Sequence, residues 1–264
     1  MKQDNAHRFG MVIDLDKCTG CGSCMVACMA ENNVPFREDE TDKLLSVTWL
    51  RVYKLNNRKP FPETDVCYLP RPCQHCEGSH GHSPCVSVCP ATATDYDNNT
   101  GIVSQIYTRC FGCRYCMAAC PYHVRLFNWW DPVWPDGMEK SLNPDVSVRM
   151  RGVVEKCSFC YHRYQRAKDR AYIDGQDHIE EEDYQTACTQ ACPAGAITFG
   201  DLNNPKHQVA KLSQPDNNHG GKPRAKNIFR LLERLGTNTK VYYHSNREWV
   251  RRLGDNYQDE PRKA

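Results

Sequence analysis

Apolar positions along this chain come in short bursts, never in long runs. GMVIDL (residues 10–15), GIVSQIY (101–107) and RGVV (151–154) each read as a brief strand behind a glycine. Two further bursts, ATATDYD (91–97) and AGAITFGD (194–201), read as strands of the same kind. The turn residues Asn98, Asn99 and Gly101 between ATATDYD and GIVSQIY predict a hairpin. CMVACMAEN (24–32) and CMAACPYH (116–123) predict short helices. Near the C-terminus, Ile228, Leu231, Leu232 and Leu235 recur at helical spacing, which predicts one amphipathic helix in the basic run KPRAKNIFRLLERLG. The acidic stretch DGQDHIEEEDY (174–184) reads as a solvated loop or helix, and Trp129, Trp130 and Trp134 as core or interface packing.

The chain has 264 residues, enough for a sizeable core or two small domains. Its 34 basic and 32 acidic residues leave a net charge of +2, without the basic stripe of a nucleic-acid binder. No apolar stretch is long enough for a membrane-spanning helix. The N-terminal MKQDNAHRFG has neither an apolar export core nor a twin arginine, so export would need a partner that carries the signal. On this ground alone the expectation is cytoplasmic. There is no dinucleotide fingerprint, nucleophile motif or metallohydrolase signature, so no catalytic site of its own is expected.

Cysteine changes the picture. There are 17, an odd number, mostly two or three residues apart, which excludes a disulfide framework and points to a metal that holds thiolates. Four groups emerge. Cys18, Cys21, Cys24 and Cys28 follow C-x2-C-x2-C-x3-C, and Cys110, Cys113, Cys116 and Cys120 repeat it. Cys73, Cys76, Cys85 and Cys89 keep the same ends around an insertion. Cys157, Cys160, Cys188 and Cys192 do so around a longer one. This is the bacterial ferredoxin run, in which three cysteines wrap one cubane and the fourth, a helical turn on, ligates the other cluster of a pair. Proline follows at Pro90, Pro121 and Pro193, whereas Met29 stands there in the first group. Gly20, Gly22 and Gly112 suit the tight loops, and Lys17, Arg109 and Lys156 each precede a first cysteine. Zinc is the rival metal, and a zinc-stabilised interaction module the rival function of another class. Two cysteine runs this dense fit a tetrahedral zinc site poorly. Cys67 remains over, and reads as a buried free thiol. His75, His82 and His123 lie near ligand cysteines and read as supporting donors or surface residues.

From Met11 to about Asp201 the sequence resembles the four-cluster subunits of complex iron–sulfur molybdoenzyme assemblies, such as those of polysulfide, tetrathionate, dimethyl sulfoxide and nitrite reductases. MVIDLDKCTGCGSCMVACMAENN, FNWWDPVWPDGM and NPDVSVRMRGVVEKCSFC are most similar to the iron–sulfur subunit of the menaquinone reductase of sulfate-reducing bacteria and to the iron–sulfur domain of alternative complex III. The resemblance implies an α+β fold of two interleaved ferredoxin-like modules, residues 10–72 with 145–200 and residues 73–144, and a C-terminal extension, 201–264, that contacts partner subunits. It implies four clusters, [4Fe–4S] throughout or with one [3Fe–4S]. Their ligands would be Cys18, Cys21, Cys24 and Cys192; Cys73, Cys76, Cys85 and Cys120; Cys110, Cys113, Cys116 and Cys89; and Cys157, Cys160, Cys188 and Cys28. It also implies a molybdopterin-oxidoreductase-like large subunit, a polysulfide-reductase-type membrane subunit that presents menaquinone, and a multihaem cytochrome c donor, on the periplasmic side. The expected function is electron transfer from that donor to menaquinone; flow from quinol to a terminal reductase would use the same relay. A free-standing polyferredoxin is the remaining alternative.

Overall fold

The computed structural model describes residues 7–35, 47–78, 83–176, 178–213 and 227–255. His82 and Lys222–Lys226 of the basic run lie outside them.

The architecture is α+β, with small sheets and short helices arranged around the cysteines. The main sheet has four strands in the order β8 (Ile197–Asp201), β1 (Phe9–Asp14), β10 (Val241–His244) and β9 (Ile228–Phe229). β1 runs antiparallel to β8, with Met11 opposite Phe199, and parallel to β10, with Met11 opposite Val241. Met11, Ile13, Val241 and Tyr243 are fully buried. Each such side chain contributes about 1.5–3 kcal/mol relative to exposure. β2 (Arg51–Asn56) and β3 (Val66–Arg71) form a hairpin, as do β4 (Thr94–Tyr96) and β5 (Val103–Gln105). The second is the one the turn residues predict. β6 (Leu126–Phe127) pairs with β7 (Val154–Glu155).

The helices follow cysteine loops, and their starts show why. α1 (Ser23–Glu31) begins after Gly22 at φ 78°, α3 (Tyr115–Ala119) after Arg114 at φ 62°, and α4 (Tyr161–Ile173) after Cys160 at φ 53°. A left-handed residue at these points reverses the loop, and in α1 and α3 the helix then leads Cys24 or Cys116 back toward the preceding cysteines. α2 (Pro84–Ser87) has proline at its first position, and α5 (Ala187–Gln190) is capped by the Thr186 hydroxyl, which accepts from the Thr189 N–H. α1 packs against α5 and α2 against α3. α6 (Gln208–Ser213) covers β8, and α7 (Glu248–Asp255) closes the described chain.

The helix expected around Ile228, Leu231, Leu232 and Leu235 does not form. Ile228 and Phe229 instead pair with His244 and Tyr243 at the edge of β10 and are buried there. Leu232 takes φ 49°, and only Glu233–Leu235 makes a single 3-10 turn. Strand pairing satisfies the backbone and buries the same apolar groups, so the helical spacing is overridden. The tryptophans at 129, 130 and 134 are not core: Trp129 is exposed, and Trp130 and Trp134 are half-buried. The C-terminal stretch supplies β9 and β10, so this part of it belongs to the main sheet.

Candidate metal centres

All 17 cysteines are free thiols, and 16 of them gather into four quartets drawn from distant parts of the chain. Cys18, Cys21, Cys24 and Cys192 line one cavity together with Gly20 and Gly22. Cys89, Cys110, Cys113 and Cys116 line another. Cys28, on the last turn of α1, is surrounded by Cys157, Cys160 and Cys188, whose charges add to burial in pushing its thiol well above the ordinary value. Cys76 is raised likewise, by burial and then by Cys73, Cys85 and Cys120.

The crossing follows from local geometry. Cys24 and Cys28 lie four residues apart on α1, yet Cys24 faces Cys18 and Cys28 faces Cys157. α2 with α3 repeats this: Cys120 acts on Cys76, and Cys89 lines the cavity of Cys110. The quartets also stand in a fixed succession. Cys24 of the Cys18 quartet acts on Cys188 of the Cys28 quartet. Cys73 is the foremost charged neighbour of Cys157. Cys85 acts on Cys116 of the Cys89 quartet. The order is therefore Cys18, Cys28, Cys73, Cys89. At its two ends Cys21 and Cys113 are exposed, whereas the Cys28 quartet between them is buried throughout.

The thiols sit among donors that suit thiolate and sulfide. Backbone N–H groups of Ala93 and Ala196 point at Cys89 and Cys192 from 3.2 and 3.3 Å, four residues after each cysteine, where the chain turns behind Pro90 and Pro193. Burial raises the Cys89 thiol, but N–H groups of Thr94, Ala91 and Ala93 hold it below the ordinary value overall. Hydroxyls of Ser83 and Thr186 lie 3.4 and 3.1 Å from Cys85 and Cys188, each two residues on. Burial pushes Cys24 up to about 11 and Cys188 to about 12. Four converging thiols with no disulfide between them, some as costly to ionise as Cys24 and Cys188, fit a metal centre that supplies the compensating charge. One further sign of fit is the buried Nη2 of Arg125, which has no nitrogen or oxygen partner among the described residues and lies beside the thiols of Cys85 and Cys116. A sulfide acceptor would complete it.

The remaining expected residues fall elsewhere. Cys67 is 1 % exposed on β3, outside the quartets. His75 is fully buried; its Nδ1 accepts from the Val103 N–H, and its ring stacks on Phe159 at 3.7 Å. Burial, then Lys156, holds that imidazole neutral. His123 is exposed. Sequence reasoning missed Arg125 and Asn32. A signal for the first exists: it is a lone arginine between Val124 and Leu126, five residues behind Cys120. The paired hydroxyls two residues before Cys85 and Cys188 were equally visible.

Comparison with known proteins agrees with the geometry. Residues 64–135 match a 4Fe-4S dicluster domain, and residues 9–30 a 4Fe-4S binding domain. The chain is 62 % identical to the menaquinone reductase iron–sulfur cluster-binding subunit of Nitratidesulfovibrio vulgaris, over 95 % of this chain and 93 % of that one. It is 37 % identical to the Hdr-like menaquinol oxidoreductase iron–sulfur subunit 1 of Archaeoglobus fulgidus, over 89 % and 82 %. With a selenate reductase subunit of Mesobacillus selenatarsenatis it shares 35 %, over 88 % and 70 %.

Proposed function

The chain belongs to the four-cluster, ferredoxin-like iron–sulfur subunits of the complex iron–sulfur molybdoenzyme superfamily, and we propose that it is the electron relay of a respiratory complex that reduces menaquinone. The carrying observation is the succession of four thiol quartets with exposed cysteines at both ends, Cys21 and Cys113. Each iron–sulfur cluster, when bound, takes up and passes on one electron. The residues do the rest. The quartets hold the clusters in crossed pairs: Cys18, Cys21 and Cys24 with Cys192; Cys157, Cys160 and Cys188 with Cys28; Cys73, Cys76 and Cys85 with Cys120; and Cys110, Cys113 and Cys116 with Cys89. Complete sets of four thiols favour [4Fe–4S] at each. Phe9, Tyr164, Tyr184 and Phe199 form an edge-to-face group that continues through Phe159 and excludes water from the inner sites. An electron then has protected ground in the middle and open access at the ends.

In this reading the two modules are residues 10–72 with 145–200, and 73–144. No helix among the described residues is long and apolar enough to cross a membrane. Menaquinone would therefore be presented by an integral membrane neighbour of the polysulfide-reductase type, with a molybdopterin-oxidoreductase-like large subunit and a multihaem cytochrome c on the donor side, at the periplasmic face. A relay running from quinol toward a terminal reductase is the second reading, supported by the likeness to a selenate reductase subunit.

Anaerobic purification of the native complex tests the relay. Iron and sulfide sufficient for four clusters, a brown colour bleached by dithionite, and menaquinone reduction by the intact complex are expected. Zinc in place of iron would overturn it. Purification of the chain free of any membrane complex would favour a soluble polyferredoxin.

A further inference from the structure

Arg125 is 3 % exposed, and its guanidinium lies where the Cys73 and Cys89 quartets adjoin, with Cys85, Cys116 and Cys73 as its foremost charged neighbours. Its Nη1 donates to Thr94 Oγ1 at 3.0 Å and to Gln105 Oε1 at 2.8 Å, both neutral acceptors on the β4–β5 hairpin. No carboxylate bonds it among the described residues, and Nη2 has no nitrogen or oxygen partner and is left to the thiols of Cys85 and Cys116.

The other pair of quartets is built differently. Arg125 stands five residues after Cys120; the residue five after Cys28 is Asn33, a neutral side chain that donates to the carbonyls of Asn143 and Val146. The nearest arginine there, Arg163, is bound through both nitrogens of its fork to the carboxylate of Glu31. The side chains that touch the thiols are neutral, the amide of Asn32 and the hydroxyl of Thr186. The Cys73 and Cys89 half thus holds the buried Arg125 with no carboxylate against it, while a second buried cation, Lys156, stands where Cys73 meets Cys157 and donates to the carbonyls of Val103 and Cys157.

We propose that Arg125 is the residue that raises the reduction potentials of the two clusters held by the Cys73 and Cys89 quartets, so that electrons in the relay collect on that half. A fixed cation in low dielectric stabilises the reduced, more negative cluster over the oxidised one. A hydrogen bond from Nη2 to sulfide acts in the same direction. Burial opposes the charge of Arg125, yet the neighbouring cysteines outweigh it. Arg125 touches neither donor nor acceptor; it positions a potential.

This rests on the relay reading, and the test separates the two. Potentials of the four centres are measured by redox titration with electron paramagnetic resonance, in the complex carrying Arg125→Gln, Arg125→Lys or Gln105→Glu. The last keeps the arginine and its packing but places a carboxylate where Gln105 Oε1 now accepts. In Arg125→Gln and in Gln105→Glu, two of the four midpoints should fall, each by at least a tenfold change in the reduced-to-oxidised ratio, which is 59 mV for one electron. Arg125→Lys should recover most of the fall. Iron content of each variant is measured alongside. Midpoints unmoved in fully loaded Gln105→Glu protein overturn the role of Arg125 and leave the relay intact. A fall of equal size in Arg125→Lys and Arg125→Gln overturns it too, since packing and not charge would then be responsible. Fewer than four redox centres in the unaltered protein would count against the relay itself.

Discussion

The Sγ of Cys160 lies 3.8 Å from the Nδ2 of Asn32, a residue 128 positions earlier in the chain, and that same amide lies 3.8 Å from Cys28 Sγ. One side chain thereby spans the first cysteine run and the last. Asn32 also caps α1 by donating to the Cys28 carbonyl at 2.9 Å, so helix end and thiol quartet are fixed together. Replacing Cys28 by alanine should therefore abolish the cluster built on Cys157, Cys160 and Cys188 and spare the one on Cys18, Cys21 and Cys24. Iron analysis with electron paramagnetic resonance of the variant decides it, and selective loss of the Cys18 centre would refute the crossing.

Cys67 should be dispensable for metal. Burial pushes its thiol up to about 11, and its Sγ lies 3.8 Å from the Tyr68 carbonyl rather than within a quartet. Cys67→Ala should keep all four clusters and cost about 1 kcal/mol from lost packing. A missing cluster would show that a ligand had been miscounted.

The cysteine loops should differ in their tolerance of a methyl group. Gly22 follows the second cysteine of its loop and Gly112 precedes the second cysteine of its own, and both are left-handed, at φ 78° and 76°. A Cβ on Gly22 meets nothing within 4 Å, but on Gly112 it would stand 2.2 Å from the Gly152 carbonyl oxygen. Gly22→Ala should cost about 1–2 kcal/mol, the left-handed penalty alone, and retain its cluster. Gly112→Ala should displace the Cys110 loop and lower iron occupancy there. Equal iron content in the two variants would contradict this.

Glu31 should tie α1 to α4 in a pH-dependent way. Its carboxylate accepts from the Arg163 Nη2 at 2.7 Å and lies 2.7 Å from His162 Nε2. The bonds from Arg163, against the opposing effect of burial, hold its pKa at about 2, below the ordinary 4.5. A depressed carboxylate contributes stability that is present above the unfolded value and lost as pH falls toward the folded one. Glu31→Gln should thus destabilise by about 1–3 kcal/mol, constant from about pH 5 to 8 and shrinking only below about 4.5. Denaturant midpoints of both proteins across that range measure it. A gap that widens on acidification would be inconsistent with the pair.

Arg149 and Glu155 form a buried ion pair at 3.1 Å, to which Trp49 and Asn128 add hydrogen bonds. Removing one partner strands the other charge, so Arg149→Met should cost about 3–5 kcal/mol. Arg149→Met combined with Glu155→Leu should recover much of that loss in the same unfolding assay, and no recovery would argue against the pair as its source.

The chemistry is legible in the sequence alone. Ligand spacing in a cysteine run is local, so the four groups, the helices behind Cys24 and Cys116, and the hairpin from Asp95 to Gln105 could be read from neighbouring residues. Cys67 as a buried bystander was legible for the same reason, by elimination from those groups. The rest depends on residues far apart in the chain, which only folding brings together. The spacing of Ile228, Leu231, Leu232 and Leu235 imitates a helix, but the open edge of β10 captured Ile228 and Phe229 as a strand, and that edge exists only once β10 has paired with β1. The order of the quartets arises from packing of α1 on α5 and α2 on α3, and from Cys73 meeting Cys157 across the two halves. Arg125 stands out in sequence only as a lone arginine behind Cys120. Its meaning comes from its surroundings, because a charge acts on a cluster through distance and burial, and both are set by the fold.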